Sequence, residues 1–205
     1  MKTVIHVVLI VAIAALAFLV YESVQKPIRF NAEQKKRYDV TILRLKDIRT
    51  AQVAYKAENK RYTGSFDTLI TFLKEGNFKV VKLIGDEDDS ADVKAGKIQR
   101  DTTLVKVLDS LFHKGYPVDS IRFVPFTNNT AQFEMGTTEL SAGKKDSKVK
   151  VNVFEAKVSN DILLHGLDPQ LLFNFNIARE KTAKYAGLKV GSLEETNNNA
   201  GNWQF

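Results

Sequence analysis

The sequence predicts an α+β protein in which one long N-terminal helix, first transmembrane and then amphipathic, packs on a head of mostly antiparallel β-sheet with short helices. Three observations support this fold class. An apolar run lies near the start of the 205-residue chain, a helical periodicity follows it, and strand-like segments alternate with turns in the rest. We expect a transmembrane anchor over residues 1–25, a basic helical stalk over 26–61 and an extramembrane head over 62–205.

The anchor is the apolar run at residues 4–21, in which His6 is the one strongly polar side chain. About 20 apolar residues are needed to span a bilayer, so the run is just long enough. A cleaved secretory signal is the alternative, because Lys2 supplies a basic start and Ala-Leu-Ala at 15–17 matches the cleavage pattern. The apolar run continues beyond that site to Tyr21, which favours a retained anchor.

The stalk is predicted as an amphipathic helix. Its apolar residues recur every three to four positions, at Tyr38, Ile42, Leu45, Ile48, Ala51 and Tyr55. Such a face can pack on a core or on a partner helix. The residues assigned to a partner-helix face are Ile42, Leu45, Ile48 and Tyr55. Pro27 lacks an amide donor and clashes with the preceding turn, which predicts a kink or a short break where the helix leaves the membrane.

The net charge of +6 is concentrated in the stalk. Residues 26–61 contain eleven basic and four acidic side chains, whereas residues 62–205 contain eighteen and nineteen. Anionic headgroups attract basic side chains beside a membrane span, so membrane lipid is the expected partner. The residues assigned to this contact are Lys26, Arg29, Lys35, Lys36 and Arg37. A solvated helix face with pairs such as Lys35 and Asp39 is the alternative. Nucleic acid is not expected, because the head has no nucleic-acid-binding motif.

The N-terminal third resembles a known class of membrane proteins. The apolar helix, the proline after it, the helix end at residues 51–62 (AQVAYKAENKRY) and the following SFDTL at 65–69 are similar to pilins and pseudopilins of type IV pili and type II secretion systems. The resemblance implies a single-pass inner-membrane subunit of a secretion or filament complex. Its long helix would pack against other envelope proteins or further copies of itself, with the head outside the cytoplasm. The family's leader glycine and fifth-position glutamate have no counterpart before Glu22.

The charges beside the anchor favour the opposite orientation. Lys2 is the one basic residue on the N-terminal side, and five basic residues follow the anchor within residues 26–37, so the positive-inside rule favours a cytoplasmic head. A two-residue tail before a long domain is, however, typical of signal anchors. We expect an extracytoplasmic head and keep the cytoplasmic one as the alternative.

Short elements are predicted in the head. They are a helix at 66–75 capped by Ser65, a strand at 78–84, a helix at 102–113 capped by Asp101, strands at 120–126, 131–140 and 147–158, a helix that starts at Asp168 and Pro169 and closes at Gly187, and a strand at 188–193. The apolar alternation in the third of the later strands slips at Phe154, which predicts a β-bulge. In the tail, Trp203 and Phe205 are either buried anchors or an exposed docking peptide.

Catalytic signals are sparse. The chain has no cysteine, which excludes disulfides and thiol catalysis. His113 and His165 lie outside the anchor without an HExxH, GxSxG or GxxxxGK motif, so we expect a non-enzymatic protein without a cofactor. A membrane-tethered module that binds a small ligand, an ion or an envelope polymer is the alternative function.

One loop, at residues 85–96, carries an acidic cluster. Oxygen ligands at Asp86, Asp88 and Asp92 could hold calcium. The EF-hand pattern, however, requires a glycine where Ala91 stands and a glutamate where Lys97 stands. We therefore expect a flexible acidic loop, with calcium binding as the alternative.

Overall fold

A computed structural model describes residues 2–84, 99–141 and 150–204 of the chain. In chain order the elements are helices α1 (Lys2–Asn59) and α2 (Phe66–Glu75), strands β1 (Asn77–Ile84) and β2 (Gln99–Lys106), helix α3 (Val107–Leu111), a 3₁₀ helix (Val118–Arg122), strands β3 (Glu134–Ser141) and β4 (Lys150–Ser159), helices α4 (Asn160–Leu163) and α5 (Pro169–Glu180), and strand β5 (Gly187–Gly191). The predicted α+β class is confirmed.

Helix α1 runs for 58 residues and does not break at Pro27. Of the two outcomes predicted at Pro27, the short break is therefore wrong, and the kink stays a prediction. A proline removes one main-chain hydrogen bond, and here the helix is supported on both sides of it. Before Pro27, the apolar segment can satisfy its main-chain groups in lipid only by remaining helical. After Pro27, one face of the helix is covered by the head from Phe30 onward.

The strands form two separate antiparallel sheets. Strands β1 and β2 form a hairpin, and the order in the second sheet is β3-β4-β5. The C-terminal tail covers the outer edge of β5, since the Gly191 amide donates to the Ala200 carbonyl and the Asn202 amide to the Lys189 carbonyl, each at 3.0 Å. Gly191 is required at this edge, because its φ is +75° and a Cβ would lie 2.1 Å from the Phe154 carbonyl oxygen.

The core lies between α1, α2 and the inner face of the three-stranded sheet. Its largest fully buried apolar side chains include Leu45, Ile48, Leu69, Leu73, Ile121, Phe154, Leu163 and Leu188. Ser65 caps α2 as predicted, since its hydroxyl accepts from the Thr68 amide at 3.4 Å. Trp203 is partly buried and packs against this core, and Phe205 lies outside the described residues.

Two predicted elements of the head are wrong in type. The segment predicted as a helix at 102–113 continues β2 as far as Lys106, and Asp101 pairs with Lys82 within the hairpin instead of capping a helix. The eight consecutive residue pairs between β1 and β2 override the weak helical pattern of apolar residues in this segment. Only the short helix α3 forms after them. The predicted strand at 120–126 is mostly the 3₁₀ helix, followed by a single bridge between Phe123 and Gln132.

A predicted β-bulge and the predicted end of a helix are also wrong. Strand β4 pairs with β3 without a bulge at Phe154. The alternation slips there because residues 153–156 are buried on both faces of the sheet. Helix α5 begins after the predicted cap Asp168 but ends at Glu180, and Gly187 opens β5 instead of closing the helix.

Candidate functional site: the anchor, the stalk and their junction with the head

The anchor half of α1 is uncovered by the rest of the protein. The large apolar side chains of residues 4–21 are 57–65% exposed. Leaving such a side chain in water costs about 1.5–3 kcal/mol relative to burial. Within the described residues, α1 is the one helix long and apolar enough to cross a bilayer.

The inner face of the stalk is covered by the chain's own head. Leu45, Ile48 and Tyr55 lie in the core, and Ile42 packs against it. These are the four residues assigned from the sequence to a partner-helix face. In the folded chain the head occupies this face, because α2 and the three-stranded sheet supply the apolar cover that the pattern requires.

The outer face of the stalk also carries apolar side chains. Ile28, Leu43 and Val53 are 54%, 60% and 48% exposed. They alternate along the helix with exposed Lys35, Asp39 and Lys46. The periodicity of the inner face dominates the sequence pattern, so this second, more polar stripe was missed.

Four of the five basic residues assigned to lipid are exposed on the stalk. Lys26 and Lys35 are exposed, Arg29 lies 3.6 Å from Glu22, and Lys36 lies 3.7 Å from Glu33. All four side chains can therefore reach solvent or lipid.

Arg37 differs from these four because it is a contact between the stalk and the head. Its Nη1 donates to the main-chain carbonyls of Leu163 and His165 at 3.1 and 2.9 Å, and its Nε donates to Glu33 at 3.1 Å. The side chain is 16% exposed. The guanidinium thus binds the carbonyls at the end of α4.

A chain of polar side chains extends this junction. The Tyr38 hydroxyl donates to Asn160, the Asn160 amide to Asn176 at 2.8 Å, and the Asn176 amide to Asp161 at 2.9 Å. Burial raises the pKa of Tyr38 to about 12, against the opposing effects of Arg179 and of the Asn160 hydrogen bond. The tyrosine therefore remains a hydrogen-bond donor at neutral pH.

A second polar contact joins the middle of the stalk to the segment after α3. The Tyr116 hydroxyl donates to Asp47 at 2.6 Å, and Arg44 donates to the Ser120 hydroxyl at 2.9 Å. Burial, followed by the hydrogen bond to Asp47 and its negative charge, raises the pKa of Tyr116.

At the upper end of the stalk, a polar recess opens between α1 and strands β3 and β4. It has a volume of about 440 Å³. Its lining contains the charged side chains of Arg61 and Glu139. It also contains hydroxyl and amide groups, from Thr63, Thr68, Thr137, Thr138 and Asn152. The ring of Tyr62, at the same place, is already covered by Phe154 at 4.8 Å and by the Lys56 ammonium at 4.5 Å.

The structure describes the histidine candidates but not the metal candidates. Asp86, Asp88 and Asp92 lie outside the described residues, so the structure leaves the calcium hypothesis as a prediction. Within the described residues, no group of three or more histidine and acidic side chains could hold a metal. His113 and His165 are both exposed, and the His113 ring lies 5.6 Å from that of Tyr116.

Comparison with known proteins found no family model, no curated protein and no solved structure that matches this chain. Its class therefore follows from its own fold and anchor. The long apolar N-terminal helix fits a single-span membrane protein, and the head that it carries is α+β.

Proposed function

We propose that this chain is a non-enzymatic, pseudopilin-like structural or assembly subunit of a cell-envelope complex, either a secretion system or a filament. It would be held in the inner membrane by its single span, with the head outside the cytoplasm. The observation that carries the proposal is the unbroken helix α1. The helix that is uncovered over residues 4–21 continues as the central support of the head.

The stalk and the head are joined along their whole contact. Arg37 and Tyr38 bind the α4–α5 region, Asp47 binds Tyr116, and Gln52 binds Thr63. These contacts cover about four helical turns, or ~23 Å of α1. A movement of the span is therefore transmitted to the head, which is the mechanical property that an assembly subunit needs.

The outer face of the stalk is the surface that we assign to assembly, and a second copy of this chain is the partner that we assign to it. Ile28, Leu43 and Val53 supply apolar contact. Charges of both signs lie between them, so two copies shifted along their axes can place Asp39 of one copy beside a lysine of the other. Another envelope protein with a similar helix face is the other candidate partner.

Crosslinking in native membranes tests this proposal. Because the chain has no cysteine, single cysteines can be introduced by Leu43→Cys and by Val53→Cys and treated with a short bismaleimide crosslinker. We expect dimers from both variants. Lys184→Cys is the matched control, since Lys184 is exposed and lies in the head and not on the stalk helix, and it should remain monomeric.

Two results would count against self-assembly. Equal crosslinking at Lys184 would show random collision, and monomers from all three variants would exclude a paired outer face. In the second case, Leu43→Arg should be compared with the unsubstituted chain by co-purification in mild detergent. Loss of a specific membrane protein on substitution would identify a different partner helix, and no loss would overturn the subunit proposal.

The polar recess favours the second candidate function, a membrane-tethered binding module. Its hydroxyl and amide groups suit a hydroxyl-rich ligand such as an envelope polysaccharide. The ligand would carry no net charge, because the two charged side chains of the lining, Arg61 and Glu139, are of opposite sign. Oligomers of N-acetylglucosamine should then raise the thermal unfolding temperature of the detergent-solubilised chain, and Thr138→Tyr, which fills the recess, should remove the effect. If the increase is absent, or is unchanged in the variant, this function is excluded for that class of ligand.

A further inference from the structure

The lower edge of the head lies beside the membrane end of α1. A cleft there places Leu19, Glu22 and Lys26 of α1 opposite Asp168, Gln170 and Leu171 of the head. Leu19 belongs to the apolar run itself. The first turn of α5 therefore reaches down to the level at which the chain leaves the bilayer.

The position of α5 along α1 is fixed by contacts at two points. At its start, Asp168, Gln170 and Leu171 line the cleft that they share with residues 19–27 of α1. Further along, the Phe175 ring packs edge-on against Phe30 and Tyr38, with centroids 6.2 Å apart in both pairs. The helix therefore rises from the membrane end of α1, and its first turns are the lowest.

The length of the apolar run places the bilayer surface at the same height. Its eighteen residues rise about 27 Å, which is about 3 Å less than a typical hydrocarbon core. A bilayer that covers the run therefore extends to about residue 23 or 24. The headgroup layer adds roughly 5–7 Å, or about four more residues of helix, which reaches the level of Ile28.

Exposed apolar side chains lie in this layer. Val24 and Ile28 of α1 and Phe173 of α5 are 54–59% exposed. Phe173 lies between the first turn of α5, which faces residues 19–27, and Phe175, which contacts Phe30. In water each of these side chains would carry an unfavourable hydration cost, whereas in the headgroup region it would be partly covered by lipid.

The charges at this height also suit lipid. Lys26 is exposed, and Arg29 is 63% exposed although it lies 3.6 Å from Glu22. Both can reach lipid phosphates. The nearby carboxylate of Asp168 accepts hydrogen bonds from two main-chain amides in the first turn of α5.

We propose that the head rests on the bilayer, with the first two turns of α5 in the lipid headgroup layer and Phe173 as their apolar anchor. The inference depends on the membrane span of the proposed function and is independent of assembly into a complex. Contact at this second point would fix the tilt of the head. It would leave the outer face of the stalk beyond Ile28, at Leu43 and Val53, open above the membrane.

Fluorescence quenching on the full chain in liposomes tests this inference. Phe173→Cys is labelled with an environment-sensitive fluorophore, and the liposomes contain phosphatidylcholine with a spin label on the headgroup. We expect quenching of about half or more of the fluorescence, as for a group held in the interface. Phe126→Cys is the aromatic control, since that ring lies beside Lys36 and Arg37, about 22 Å of helix above Tyr21, and it should remain unquenched.

A third variant tests the membrane span separately from the contact between the head and the bilayer. Leu16→Cys should be quenched by a spin label in the acyl chain if the helix spans the bilayer. Quenching at positions 16 and 173 but not at 126 supports the inference. Quenching at 16 without quenching at 173, or equal quenching at 173 and 126, overturns it and leaves the span intact. No quenching at 16 overturns both.

Discussion

The side-chain amide of Gln52 forms two hydrogen bonds with the main chain of Thr63. The Gln52 Nε2 donates to the Thr63 carbonyl at 2.6 Å, and the Thr63 amide donates to Gln52 Oε1 at 3.1 Å. Both residues are buried. This pair holds the turn after α1 against the helix from which it came, and it therefore determines where α2 begins.

Gln52→Leu should destabilise the head. The substitution keeps the side-chain volume similar but leaves a buried main-chain amide and carbonyl without partners, at a cost of about 2–5 kcal/mol in the free energy of unfolding. Thermal unfolding in detergent measures the effect. Thr50→Ala, on the exposed side of the same helix, is the control and should change the free energy by less than about 0.5 kcal/mol. Equal stability of the two variants would show that the pair is not needed.

Arg37→Gln should loosen the contact between the stalk and α4. The variant loses a charged donor to the Leu163 and His165 carbonyls, and charged hydrogen bonds of this kind contribute about 1.5–3 kcal/mol. We expect a lower unfolding temperature and faster proteolysis in the segment between α4 and α5. Lys36→Gln, one residue away and exposed, should leave both unchanged. If Lys36→Gln has the same effect as Arg37→Gln, charge alone and not the carbonyl contact is responsible.

The long helix and several strands could be predicted because each carries its own local signal. The apolar run, the spacing of Leu45 and Ile48, and the Ser65 cap all act within one or two helical turns. The contacts that join the stalk to the head have no such signal. Tyr38 and Asn160 are separated by 122 positions, and Arg37 binds main-chain carbonyls 126 and 128 positions away. One local clue was available, since Gln52 interrupts the apolar face between Ile48 and Tyr55.

The errors in the head have a common cause. A helical spacing of apolar residues at Leu104, Val107, Leu108 and Leu111 led to the predicted helix, but the hairpin with β1 pairs this segment as far as Lys106. Similarly, Phe154 breaks the alternating pattern because residues 153–156 are buried on both faces of one strand. In both places a long-range contact overrides the local pattern.

Ile48→Ala and Leu43→Ala should separate folding from assembly. Ile48 is fully buried and Leu43 is 60% exposed. The first substitution should cost about 2–5 kcal/mol, because it leaves a cavity in the core. The second should leave the unfolding temperature nearly unchanged. Combined with Val53→Cys, it should weaken the crosslinking proposed for the outer face. An equal loss of stability in both variants would contradict the assignment of the two faces.

Alkaline pH should destabilise the junction between the stalk and the head. In the unfolded chain, Tyr38 and Tyr116 titrate near pH 10, whereas burial raises the pKa of Tyr38 to about 12 and that of Tyr116 also rises. The folded state keeps protons that the unfolded state loses. Stability is therefore fully present below pH 10 and falls as the pH rises above it, by at most about 1.4 kcal/mol per pH unit for each tyrosine.

The Phe variants provide the control for this pH dependence. Tyr116→Phe and Tyr38→Phe lose a hydrogen bond at every pH but have no hydroxyl to titrate. Their unfolding temperatures should start lower at pH 7 and approach that of the unsubstituted chain at alkaline pH. Parallel curves for all three proteins would show that other groups, such as the lysines, cause the alkaline loss.

The orientation of the head can be decided with one cysteine. Lys184→Cys places a thiol on an exposed part of the head, and the chain has no other cysteine. We expect a membrane-impermeant maleimide to label it in spheroplasts before lysis, because the pseudopilin-like subunit that we propose has its head outside the cytoplasm. Labelling only after lysis would contradict this orientation. It would agree instead with the positive-inside rule, because one basic residue, Lys2, precedes the span and five basic residues follow it at 26–37. The envelope-subunit proposal would then have to be abandoned in favour of a cytoplasmic partner at the membrane.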